Sequence, residues 1–263
     1  MQRGLGVCYS PAMLAPRPRA VALAVLGAAV LAAAATARAY VPPADFLVRL
    51  LADKRRELGV KDLSAQLVSD VEGVEGQVDE RFYLKWPERV RLVAQREEGT
   101  AVYVEREGQR AAGLENALKR LPGVPDLTAV LFAPAGKDLD DMGARLIATL
   151  KAAGVDTSIV SLGRQDDTVA YIIGARPFEP DKPQVWLYKA TQQPMRTVLF
   201  DKTRSPPSRV ETRFLSYGSP AGGDYLPGVV EVSRDGKRVR RAELSKLAVN
   251  QGLPETLFDV PRR

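Results

Sequence analysis

The 263-residue chain contains no histidine and a single cysteine, and its 38 lysines and arginines outnumber its 32 aspartates and glutamates. Without histidine there is no Ser-His-Asp hydrolysis, no imidazole metal site and no imidazole general base. The lone thiol is Cys8, so nucleophilic cysteine chemistry and thiolate zinc sites are excluded from everything beyond the N-terminal segment.

That segment has a pattern of its own. Arg3, Arg17 and Arg19 precede an uncharged, alanine-dominated run over 20–35, which is shorter than the roughly 20 apolar residues that span a bilayer. Ala37-Arg38-Ala39 puts small residues at the two positions a signal peptidase reads. The sequence therefore predicts a cleavable export signal over 1–39, with translation from Met1 or Met13, and a mature chain that starts at Tyr40. The other reading of the run is an uncleaved anchor. Cys8 would leave with the signal, and no cysteine stands just after the run to carry a lipid. A soluble periplasmic protein without disulfides is the expectation. Four arginines leave with the signal, reducing the net charge from +6 to +2. Such a balance lacks the basic footprint of a nucleic-acid binder, and no nucleic-acid partner is expected. The one basic run, Lys237-Arg238-Val239-Arg240-Arg241, reads as the solvated face of a strand. Residues 40–263 are long enough to bury one core as a single domain.

In chain order, a helix is predicted over 45–58, with Asp45 as N-cap, Leu47, Leu50, Leu51 and Leu58 on one face, and Gly59 as stop. The period then changes to two. Val78, Phe82, Leu84 and Trp86, then Val90, Leu92 and Ala94, then Val102 and Val104 alternate with polar residues as three half-buried strands. Continued parity would point Phe82, Leu84, Trp86, Val90, Leu92, Val102 and Val104 to one face, toward the helices. Pro122, Gly123, Pro125, Pro134 and Gly136 mark a loop over 114–137. A second helix is predicted over 139–153, with Asp138 as N-cap, Gly154 as stop, and an apolar stripe of Leu139, Met142, Leu146, Ile147 and Leu150. Seven further strands are predicted over 157–162, 168–175, 184–189, 196–200, 209–217, 226–234 and 238–249, with Asp235-Gly236 as a hairpin turn. About ten strands with turn-sized gaps and no βαβ alternation give a mainly β fold with some α: a curved antiparallel sheet, an incomplete half-barrel, with amphipathic helices over one face.

Chemistry is thinly represented. No phosphate-binding glycine loop lies between a strand and a helix, so no nucleotide cofactor is expected. The acidic clusters Asp138, Asp140, Asp141 and Asp166, Asp167 read as a helix start and a hairpin turn. Neither an enzyme nor a metal site is expected.

The segment Phe82-Tyr83-Leu84-Lys85-Trp86-Pro87 after a helix, with Arg89 and Arg91 beyond it, resembles the periplasmic outer-membrane lipoprotein carrier (LolA-like) family. So do Val169-Ala170-Tyr171-Ile172-Ile173-Gly174-Ala175, Gln184-Val185-Trp186-Leu187-Tyr188-Lys189 leading to Pro194-Met195-Arg196, Tyr225-Leu226-Pro227, and the ending Val249-Asn250 with Leu257-Phe258. The resemblance spans nearly the whole mature chain. It implies an open barrel whose concave apolar face, under a helical lid, receives the acyl chains of lipoproteins or lipids. Phe82, Leu84, Trp86, Val90, Leu92, Val102, Val104, Met142 and Leu146 are the candidate contacts. Inner- or outer-membrane lipoprotein-transfer proteins are the implied partners. One departure is that the family carries an arginine, implicated in holding the lid, immediately before the strand-ending proline, where this chain has Trp86. Periplasmic lipid or envelope-stress sensors share the half-barrel and supply the alternative reading, a module that regulates a partner protein.

Overall fold

Alternating apolar and polar residues build twelve strands, two more than the sequence led us to expect. The computed structural model describes residues 41–86, 89–96, 99–106, 109–112, 127–134 and 136–259. The expected signal, with Ala37, Ala39 and Tyr40, lies outside these, as do Pro122, Gly123 and Pro125 of the expected loop. The strands are β1 (Asp62–Val71), β2 (Val78–Lys85), β3 (Arg89–Arg96), β4 (Gly99–Arg106), β5 (Gln109–Ala112), β6 (Val160–Gln165), β7 (Thr168–Ile173), β8 (Gln184–Tyr188), β9 (Pro194–Asp201), β10 (Ser208–Leu215), β11 (Val229–Arg234) and β12 (Lys237–Val249). All pairings are antiparallel. Two tight turns come from residues that tolerate positive φ. Asp166 and Asp167 (46° and 63°) join β6 to β7, and Asp235 and Gly236 (48° and 82°) join β11 to β12.

The sheet order is β5-β4-β3-β2-β1-β12-β11-β10-β9-β8-β7-β6. Two meanders thus meet where the first strand pairs with the last, and β5 and β6 form the outer edges. Among the described residues nothing pairs these edges, so the barrel stays open. The chain that crosses from one edge to the other carries the helices α2 (Thr128–Phe132) and α3 (Leu139–Ala152), while α1 (Ala44–Glu57) precedes the central strand. No described helix is long and apolar enough to cross a membrane.

Asp138 caps α3 as expected, accepting the Asp141 backbone N–H at 2.9 Å. The first helix differs from expectation. Its N-cap is Pro43, extended at φ −68°, and Asp45 sits in the first turn, where a carboxylate favours the positive end of the helix dipole. Its buried stripe is Leu47, Val48, Leu51, Ala52 and Arg55, whereas Leu50 and Leu58 are only half-buried.

A C-terminal strap covers part of the outer face. Buried Asp62 accepts the backbone N–H groups of Gln251, Gly252 and Leu253 at 2.8, 3.0 and 3.3 Å. Lys85 donates to Leu253 O and Arg91 to Leu257 O, and a short 3-10 turn (Glu255–Phe258) lies against β3 and β4 with Phe258 fully buried.

Candidate functional site

The concave face is built by register. Leu63 stands opposite Leu84 and Val249, Ala65 opposite Phe82 and Leu247, and Leu67 opposite Leu244. On β3, Leu92 faces Phe82 and Val90 faces Leu84. Directly opposed residues share a face, so Phe82, Leu84, Val90 and Leu92 lie together as expected. Parity breaks at the next strand. Lys85 pairs with Arg89, which keeps even residues opposite even ones, but Arg96 pairs with Gly99, which sets even residues opposite odd ones. Val102 therefore faces Val93, and Val104 faces Arg91, on the outer side of the sheet. The single-face expectation fails for these two valines. Val104 is fully buried nonetheless, on the face over which the C-terminal turn lies.

Two helices close over this concave face. Leu47, Val48 and Leu51 of α1 and Met142, Leu146 and Leu150 of α3 form one cluster with Leu63, Leu84, Ile173, Leu187 and Phe214 from the sheet, and Phe82 and Trp86 pack against its border. The structure thus brings together five of the candidate contacts, Phe82, Leu84, Trp86, Met142 and Leu146. Val90 and Leu92 share the face but stand outside that cluster. The helices run antiparallel, tied by Arg49 to Asp140 at 3.0 Å. Gly143 permits their approach, since a Cβ there would meet Arg49 Cγ at 2.7 Å.

Sequence reasoning missed Arg55. It lies on the buried stripe of α1, 4% exposed, and donates from Nη1 to the Tyr225 carbonyl at 2.7 Å. Its guanidinium stacks 4.6 Å from the centre of the Phe132 ring, which itself meets Phe214 edge-on at 5.2 Å. Nη2 is enclosed without an acceptor. Burial pulls the Arg55 guanidinium below its ordinary range, and the neighbouring Tyr217 phenol, itself pushed far up by burial, offsets this in part. Tyr217 donates to Pro194 O at 2.8 Å. The signal available in the sequence was a charged residue four positions after Leu51, on the helix's apolar face. The place before Pro87 holds an indole, and the buried cation stands on α1, bonded to the Tyr225 carbonyl.

Where α1 begins and α3 ends, a groove of about 500 Å³ is lined by Val41, Pro42, Ile147, Lys151, Ser158 and Val160, among others. Elsewhere on the concave face, buried Glu80 pairs with Arg240, whose Nε lies 3.2 Å from Glu80 Oε1. The acidic clusters have structural duties. Asp141 accepts from Lys137 N at 2.9 Å and pairs with Arg145, and the first of these contacts does most to hold its carboxyl below the usual range. Asp166 and Asp167 form the β6–β7 turn. Among the described residues no group of histidine, cysteine, aspartate and glutamate is placed to hold a metal. The arrangement supplies apolar enclosure and one buried cation.

No family model and no curated protein sequence matches the chain. Among solved structures it is similar to a putative outer membrane lipoprotein-sorting protein domain from Vibrio parahaemolyticus, with 9% identity over 82% of this chain and 97% of that one, and a TM-score of 0.46. It is similar to a LolA superfamily protein from Nitrosomonas europaea, at 12% identity over 83% and 98% of the two chains and a TM-score of 0.44. A third likeness is to the Pseudomonas aeruginosa MucA/MucB complex, with 13% identity and a TM-score of 0.33 over 83% of this chain and 61% of that one. The open half-barrel under a helical cover is the architecture that the LolA-like sequence motifs implied.

Proposed function

We propose that this chain is a periplasmic carrier that takes acyl chains of lipoproteins or lipids onto the concave face of its open half-barrel, beneath α1 and α3. The observation that carries this reading is the pairing of an unclosed apolar sheet face with helices that pack on it through apolar side chains. Sliding or lifting that cover exposes Leu63, Leu84, Met142 and Leu146 to an alkyl chain without breaking a strand pairing. Each methylene buried there gains about 0.8 kcal/mol, so one tail provides ample binding energy with no catalytic group. Phe82 and Trp86, half-buried at the border, are the side chains such a tail would meet first.

Native mass spectrometry of the protein recovered from the periplasm, before and after detergent extraction, tests the reading; a detergent-removable lipid or lipoprotein adduct is expected. Trp86 gives a second readout. In a Trp186→Phe background, titration with an acylated peptide is expected to shift its fluorescence to the blue with saturation at micromolar concentration. An unacylated partner protein in place of lipid would favour the sensor alternative. No adduct and no spectral response would end the carrier reading.

Export is part of the same proposal. Intact-mass measurement of the periplasmic protein is expected to give a chain starting at Tyr40. Recovery of the unprocessed chain from the membrane fraction would refute it.

A further inference from the structure

The outer face carries a cluster that an inner-face carrier does not use. On β10, Glu211 is 6% exposed and receives three guanidinium groups: Arg196 at 3.0 Å, Arg209 at 2.8 Å and Arg213 at 2.6 Å. Three cations share this one carboxylate, while Glu231, directly opposite Arg213 on β11, is paired with Arg238 and Arg241. Arg196 and Arg213 stand directly opposite one another on neighbouring strands, an arrangement that is unfavourable for like charges unless an anion bridges them. Arg196 also stacks 5.1 Å from the centre of the Trp186 ring and donates to Gln165 Oε1 at 3.5 Å, while its Nε is enclosed without an acceptor. Glu211 and Trp186 therefore hold the arginines in one orientation.

A hydrophobic finger adjoins them. Phe178, 73% exposed, is one of only two large apolar side chains on the surface of the described residues. It sits in Arg176-Pro177-Phe178-Glu179-Pro180, and this turn is braced by contacts of its own. Glu179 accepts from Arg176 N at 2.9 Å and from Lys182 Nζ at 2.7 Å, and its carbonyl accepts from Gln184. Arg209 Nε donates to Pro180 O at 3.3 Å, which fastens the finger to the arginine cluster. A rigid, solvent-facing phenylalanine beside preorganised guanidinium groups matches the chemistry of a lipid headgroup layer, with phosphates for the arginines and an acyl boundary for the ring.

We propose that this outer-face patch, Phe178 with Arg196, Arg209 and Arg213, docks the protein onto an anionic phospholipid bilayer. The proposal goes beyond acyl binding, because none of these residues lies on the concave face, and either can fail without the other. Flotation of the purified protein with vesicles of phosphatidylglycerol and phosphatidylcholine in equal parts, against phosphatidylcholine alone, tests it. The expected result is binding that requires phosphatidylglycerol and weakens at about 0.5 M salt. Phe178→Ser should weaken it about tenfold and Arg213→Gln about fivefold, with Phe178→Ser melting like the parent. Because every variant shares the same N-terminus, that segment does not contribute to the differences. Equal binding by the parent and Phe178→Ser, or no binding to phosphatidylglycerol, overturns the proposal. So does saturable uptake of inorganic phosphate, read from Trp186 fluorescence, by protein that ignores vesicles.

Discussion

Replacing Arg55 by alanine is expected to lower the unfolding free energy by about 2 to 4 kcal/mol, whereas methionine leaves it within about 1 kcal/mol of the parent. Alanine removes the stem that fills the space between α1, Phe132 and the Tyr217–Leu226 segment, leaving a cavity and an unpaired Tyr225 carbonyl. Methionine restores the volume and dispenses with the desolvated charge. That charge has no carboxylate bonded to it, and one of its nitrogens lacks an acceptor. Urea denaturation of the three proteins decides the point. If methionine proves as damaging as alanine, the hydrogen bond to Tyr225 and the stack on Phe132 outweigh the cost of burying the cation. The variants also bear on the carrier reading. Arg55 is the polar tie between α1 and the segment beneath it, so Arg55→Met is expected to keep the fold while loosening the cover, and to speed acyl-peptide uptake in stopped-flow measurements.

Much of this architecture is legible because side-chain period and turn chemistry are local properties. Asp235-Gly236 and Asp138 could be assigned from single residues, since positive φ and helix capping depend on a few atoms. The central strand β1 was not, because Val68 and Ser69 interrupt its alternation. Ser69 is fully buried although polar, and the pairing with β12 shifts at a bulge beside Gln66 and Leu67. The inner face was assigned correctly where the link between paired strands kept parity and incorrectly where it did not, which is why Val102 and Val104 changed sides. One residue in a loop is enough to invert a strand. Arg55 and Glu211 escaped notice for a different reason. A charged side chain marks a site only when its partners are known, and Tyr225, Phe132, Arg196 and Arg209 are brought together by tertiary contacts.

Glu211 furnishes the second large effect, and it depends on pH. Burial pushes its carboxyl up, but Arg213, Arg196 and Arg209 outweigh that and hold it below the usual range. A carboxyl with a folded-state pKa below its unfolded value of about 4.3 stabilises the native state fully above that value, and the contribution is lost as pH falls through the folded pKa. Glu211→Gln should therefore cost about 2 to 3 kcal/mol at neutral pH, because three guanidinium groups are left crowded around a neutral amide. Side-chain exposures of 16% at Arg196 and 8% at Glu211 leave water little room to screen them, while Arg213, at 42%, can turn outward and moderate the loss. On acidification the parent should lose this contribution and the variant should not. The difference between their urea midpoints is then expected to narrow from neutral pH to about pH 3.5. Other carboxylates titrate in the same window, but they do so in both proteins and cancel in the difference. A gap that stays constant over that range would mean that the Glu211 carboxyl titrates alike in the folded and unfolded protein, so that the arginines do not depend on it, and the preorganisation assigned to the outer-face patch would fail with it.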